Sequence, residues 1–132
     1  MTHRLFCLLL VLSAGCSSMA ATQDLSGQWS FTVERDPALG ISGAAVECAM
    51  RQRRSELTLK CEKRSDEIRG ELRGRTVLFR LEKTGIPPMV KDVVVATHTG
   101  ELNESGTRIT GVLTIVSSVL DVKLKFVAEK LR

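Results

Sequence analysis

A chain of 132 residues has the length of one domain, and 43% hydrophobic residues supply enough apolar side chains for a core. Aromatic residues make up 4%, Tyr is absent and the net charge is a modest +4. Surfaces that stack nucleic-acid bases depend on aromatic rings, so this composition argues against a nucleic-acid partner.

The first residues read as an export signal. Arg4 supplies a positive charge, residues 5–12 form an apolar run, and Ser13, Ala14 and Gly15 are small. Such a run is too short to span a bilayer as a mature helix and fits a secretory signal. The stretch LSAGC resembles a bacterial lipobox. That resemblance implies cleavage before Cys16 and a lipid on Cys16, although Ser13 stands where a large aliphatic residue is usual. Ser17 rather than Asp follows the anchor, which in such lipoproteins implies the periplasmic side of the outer membrane. The alternative is cleavage after Ala20, since Ser18, Met19 and Ala20 have the small–x–small form; the product is then a soluble periplasmic or secreted protein. The expected division is a signal peptide over 1–15 (or 1–20), a linker over 16–24 and one β domain over 25–132.

From residue 25 onward the hydrophobic pattern alternates with a period of two, the mark of half-buried strands. The first expected strand covers 25–34, with Leu25, Gly27, Trp29, Phe31 and Val33 on one face. A turn at Arg54 and Ser55 sets Gln52 against Leu57, Met50 against Leu59, and Cys48 against Cys61. Export leaves Cys48 and Cys61 in an oxidising compartment, where pairing is the default. Counting from the turn, they fall on a non-hydrogen-bonded pair, where β-carbons approach most closely, and a cross-strand disulfide is expected.

The same counting continues along the chain. A turn at Arg64 and Ser65 predicts Cys61 opposite Ile68, Leu59 opposite Gly70 and Leu57 opposite Leu72. A turn at Gly74 and Arg75, with Gly first as a type II′ hairpin prefers, sets Leu72 against Val77 and Gly70 against Phe79. Residues 103–106 join two further strands, with Leu102 facing Ile109, Gly100 facing Gly111 and His98 facing Leu113. A turn at Ser117 and Ser118 predicts Ile115 opposite Leu120 and Leu113 opposite Val122. About eight consecutive strands with one apolar face favour an all-β, antiparallel up-and-down barrel, which removes exposed edges.

SGQW, residues 26–29, resembles the Gly-x-Trp opening of the lipocalins and avidins, and strand number and order are similar to that calycin group over nearly all of 25–132. The resemblance implies a ligand-binding barrel in which Trp29 plugs one end. The later lipocalin motifs are missing. LSGQW also resembles the bacterial inhibitors of alkaline metalloproteases, small barrels that use a free N-terminal arm; the cysteine spacing here is shorter than theirs. The lipoprotein inhibitors of lysozyme are a further small-barrel group, but their Tyr-containing loop has no counterpart in a chain without Tyr.

Catalysis is not expected. One histidine, His98, remains after the signal, no metal cluster of familiar spacing is present, and no nucleophile elbow or phosphate loop occurs. No cofactor is expected. His98 is predicted to point inward, with Gly100 and Gly111 leaving room beside it, and to bond a ligand head, a Thr or Gln52. The alternate turns of a meander share an end. Arg53, Arg54, Arg73 and Arg75 therefore gather with the chain start, a basic end suited to anionic headgroups. The opposite end carries the long loops 35–43 and 84–92; the second, with Ile86, Pro87, Pro88, Met89 and Val90, is expected either to display these residues as a lid or partner site or to fold inward as a barrel plug.

Two functions fit. Either the barrel binds a small apolar or amphipathic molecule near Trp29, Phe79, His98, Leu113 and Phe126, or its loops or N-terminal arm bind a protein such as a protease or other envelope enzyme to be inhibited.

Overall fold

The computed structural model describes residues 23–84 and 93–132. The expected signal, Cys16 and the loop residues Ile86, Pro87, Pro88, Met89 and Val90 lie outside the described residues. Eight strands follow one another: β1 (Gly27–Val33), β2 (Val46–Arg53), β3 (Glu56–Cys61), β4 (Ile68–Arg73), β5 (Thr76–Thr84), β6 (Val93–Leu102), β7 (Arg108–Val116) and β8 (Asp121–Lys130). Each is antiparallel to its neighbour, and β1 pairs with both β2 and β8, so the sheet closes into a barrel. Among the described residues no helix is long and apolar enough to cross a membrane, which says nothing of a barrel.

Strand pairing follows side-chain parity. Cys48 faces Cys61, Met50 faces Leu59 and Gln52 faces Leu57, and the two cysteines form a disulfide. Leu72 opposes Val77 and Gly70 opposes Phe79; Leu102 opposes Ile109 and His98 opposes Leu113. All of these are the expected pairs.

Two hairpins depart from expectation by two residues. Leu59 faces Ile68 and Leu57 faces Gly70, not Gly70 and Leu72. The chain does not reverse at Arg64 and Ser65 alone. It leaves β3 at Cys61 through a turn in which the Arg64 N–H donates to the Cys61 carbonyl and Lys63 takes a positive φ of 64°. The connection is thereby longer and the register slides. Likewise Leu113 faces Leu124 and Ile115 faces Val122, because 117–120 forms a wider turn. There the Ser117 N–H donates to the Leu120 carbonyl, and the Ser117 hydroxyl accepts from the amides of Val119 and Leu120. A slide of two residues keeps the same side chains on the inner face, whereas a slide of one would have turned them out.

The interior is filled from the end where the chain begins. Leu25, Trp29, Met50, Leu57, Val77, Phe79, Ile109 and Phe126 are almost completely buried. The Trp29 indole N–H donates to the Leu25 carbonyl at 2.8 Å, and the Leu25 N–H donates to the Gln52 side-chain carbonyl at 2.8 Å. The segment before β1 thus crosses the barrel bottom and satisfies the two polar groups buried there. The Gln52 amide also donates to the Arg54 carbonyl, so Gln52 is engaged at this end and not with His98.

Three glycines seat the aromatic rings and the strands beside them. A β-carbon on Gly70 would collide with the Leu78 carbonyl and the Phe79 ring, and one on Gly111 with the backbone of Thr99 and Gly100. At Gly100 it would press on Ile109 and Phe126 at 2.7 and 3.0 Å. The expected empty room beside His98 is therefore occupied by neighbouring chain and rings.

Two measurements follow from this packing. Gly70→Ala should lower stability in urea denaturation by about 2 kcal/mol, the usual range for forcing a methyl into a filled core. Replacing both Cys48 and Cys61 by Ser should cost about 3 kcal/mol, since the bond closes a short loop in the unfolded chain.

Candidate functional site

The barrel is asymmetric along its axis. The turns 54–55 and 74–75, residues 103–107, residues 23–26 and the C-terminus lie at one end, and the loops 34–45, 62–67 and 117–120 at the other. Trp29 and its neighbours close the first end. Toward the second, the packing stops short and leaves a cavity of about 320 Å³.

Its walls come from the upper parts of β1 to β4 and from the loop after β1. Phe31, Val33, Val46, Leu59, Ile68 and the Cys48–Cys61 disulfide supply apolar surface. The loop after β1 is shaped by its own polar groups. The Asp36 carboxylate accepts from the amides of Ala38 and Leu39 ahead of the short 3₁₀ turn Pro37–Leu39. Gly40, at φ 74°, ends that turn in a left-handed conformation that favours glycine. Asp36 and Ile41 then exchange backbone hydrogen bonds, both 2.9 Å. The result is a compact flap whose residues Gly40, Ile41, Ser42, Gly43 and Ala44 line the mouth of the cavity.

The floor is aromatic. Phe31 lies edge-on to Phe79, with ring centroids 6.2 Å apart, and nearly parallel to Phe126 at 6.4 Å. His98 meets Phe126 edge-on at 5.0 Å and also lines the cavity. Among the described residues no hydrogen bond reaches its ring. Burial among apolar neighbours lowers its pKa to about 4, so the imidazole is neutral near pH 7.

Arg64 is the second polar group of the lining. It sits in the turn after β3 and pairs with Asp66 at 3.0 Å through Nη2. Its Nε is buried and has no hydrogen-bond partner among the described residues.

Of the five residues expected to hold a ligand, His98 alone lines this cavity. Trp29 plugs the far end, Phe79 and Phe126 pack against the Phe31 ring, and Leu113 is buried opposite His98 and Leu124. The sequence reading missed Arg64, Ile41 and Ser42 as site residues. The first was assigned to a tight turn, and the loop over 35–43 was noted for its length alone. The Asp-Pro start and the later Gly of that loop were the signals that it folds back on itself.

Arg53, Arg54, Arg73 and Arg75 are exposed at the end of the barrel where the chain begins. Arg73 pairs with Glu71 at 3.1 Å, and the Arg75 guanidinium reaches the Leu102 carbonyl. Elsewhere, a wider and polar groove runs over the outside of β1 and β8, lined by Glu34, Arg35, Arg108, Lys125 and Glu129. Its mixed charges are those of a solvated face. Among the described residues no group of three or more His, Cys, Asp or Glu side chains is placed to hold a metal ion.

Comparison with models of known families, with curated proteins and with solved structures yields no match, so the functional reading rests on geometry.

The depressed pKa of His98 has a measurable sign. Between about pH 6.5 and about pH 4 the unfolded imidazole binds a proton that the folded one refuses. Stability should therefore fall as pH drops through that window and stop falling on this account below it, by up to about 3 kcal/mol. Urea midpoints at pH 7 and 4.5 read the loss, and His98→Leu should flatten it. Asp24, whose carboxylate is held below its usual range by hydrogen bonds from Ser26, acts at lower pH.

Proposed function

We propose that this protein is an exported, lipid-anchored barrel of the lipocalin type that carries a small apolar or amphipathic molecule. The observation that supports this reading most is the one-ended cavity. It is open beneath the flap, apolar on its walls, floored by Phe31 and closed off from the far end by Trp29 and Phe79. A volume of about 320 Å³ is at the low end for ligand pockets, about 300–1,000 Å³.

The position of residues 23–26, at the closed end of the barrel, agrees with such a carrier. On a lipid at Cys16, the closed, arginine-bearing end faces the membrane and its anionic headgroups. The cavity mouth then points away from the bilayer, toward whatever delivers or collects the molecule.

Native mass spectrometry tests the proposal on the full chain carrying Cys16→Ser, isolated from the oxidising compartment of its own cells. The expected result is an added mass that leaves on denaturation. Ile68→Trp, which puts an indole into the cavity, should abolish the added mass while the far-ultraviolet circular dichroism stays that of the wild type. A bare wild-type mass, or an added mass indifferent to Ile68→Trp, would count against the cavity as the site.

A further inference from the structure

The cavity has a polarity along its depth, and this sets the kind of molecule it takes. Among the described residues, Arg64 is the one formally charged residue of the lining, and no Asp or Glu lines it. The guanidinium has five N–H donors, of which the structure shows one engaged by Asp66. Nε is enclosed and has no acceptor among the described residues, but the side chain as a whole stays 27% exposed, so an incoming oxygen meets the remaining donors of Nη1 and Nη2. Ser42 stands at the mouth as well, and its oxygen accepts from the Ala44 amide, which leaves its own hydrogen to donate. Below this rim the surface is apolar down to Phe31, and His98 there is neutral.

Resting on the binding role proposed above, we infer that the ligand is an amphipathic anion. Its carboxylate-type head is held at the mouth by the Arg64 guanidinium and the Ser42 hydroxyl, and its tail lies against Val33, Ile68 and Phe31. The exposed ion pair with Asp66 does not oppose this. Partly solvated pairs contribute little, and a planar guanidinium can serve two carboxylates at once. At about 30 Å³ per water-sized group, the volume takes about ten heavy atoms, which points to a medium-length chain.

The test uses three probes of one chain length: octanoate, octanol and octylammonium. Each is titrated at pH 7 into the full chain carrying Cys16→Ser, and binding is read from amide shifts in nuclear magnetic resonance spectra. Octanoate should bind about tenfold more tightly than octanol, with the largest shifts at Ile41, Ser42 and Arg64, and octylammonium should bind least. In Arg64→Met the advantage of octanoate over octanol should vanish while octanol still binds as before. Retention of the full preference in Arg64→Met, or equal binding of octanoate and octylammonium to the wild type, would overturn the anionic head while leaving the cavity as a binding site. If none of the three shifts any cavity residue, the binding reading and the inference fall together.

Discussion

Closure governs this molecule. With β1 hydrogen-bonded to β2 on one side and β8 on the other, every strand is paired on both edges and the inner face has a fixed, small circumference. Eight strands enclose just enough space for their own side chains or for one small guest. Everything that enters must therefore be balanced by something left out. Phe79 is present because Gly70 opposite has no side chain, and Phe126 because Gly100 has none. Between β6 and β7, Gly100 lies directly opposite Gly111, and the two backbones approach with nothing between them.

The same economy explains why the interior is packed in one half and open in the other. The large rings, Trp29, Phe79 and Phe126, are fully buried, and the segment before β1 lays Leu25 beneath Trp29. Around the cavity the lining side chains include Val33, Cys48, Cys61 and Ile68, all smaller. They line the circumference without reaching its centre. The flap over 40–44 covers part of the gap but is stiffened by its own Asp36 and Gly40 contacts, so it forms a rim and does not sink in as a plug.

Much of this was legible in the sequence because parity is a robust signal. Alternation assigned Met50, Leu59, Phe79 and His98 to the inner face, and the structure places them there. The Arg54 and Gly74 turns were read correctly because two-residue hairpins leave little choice of register. The β3–β4 and β7–β8 registers were misjudged by two residues because their turns are held by local polar contacts. Lys63 adopts a backbone conformation that its side chain does not advertise, and Ser117 uses its hydroxyl to stretch a turn. The site was harder to see. Arg64 becomes a lining residue only because the longer turn swings it over the barrel mouth. The glycines suggested empty space, when their lack of a β-carbon is filled by a ring or strand that sequence spacing does not locate.

Cys48 and Cys61 serve twice. The bond between them staples β2 to β3, and its sulfurs are also part of the cavity wall. In a chain with separate thiols two unlinked side chains stand at that place in the wall. Closing the bond therefore fixes one part of the pocket wall in the same step that staples two strands together.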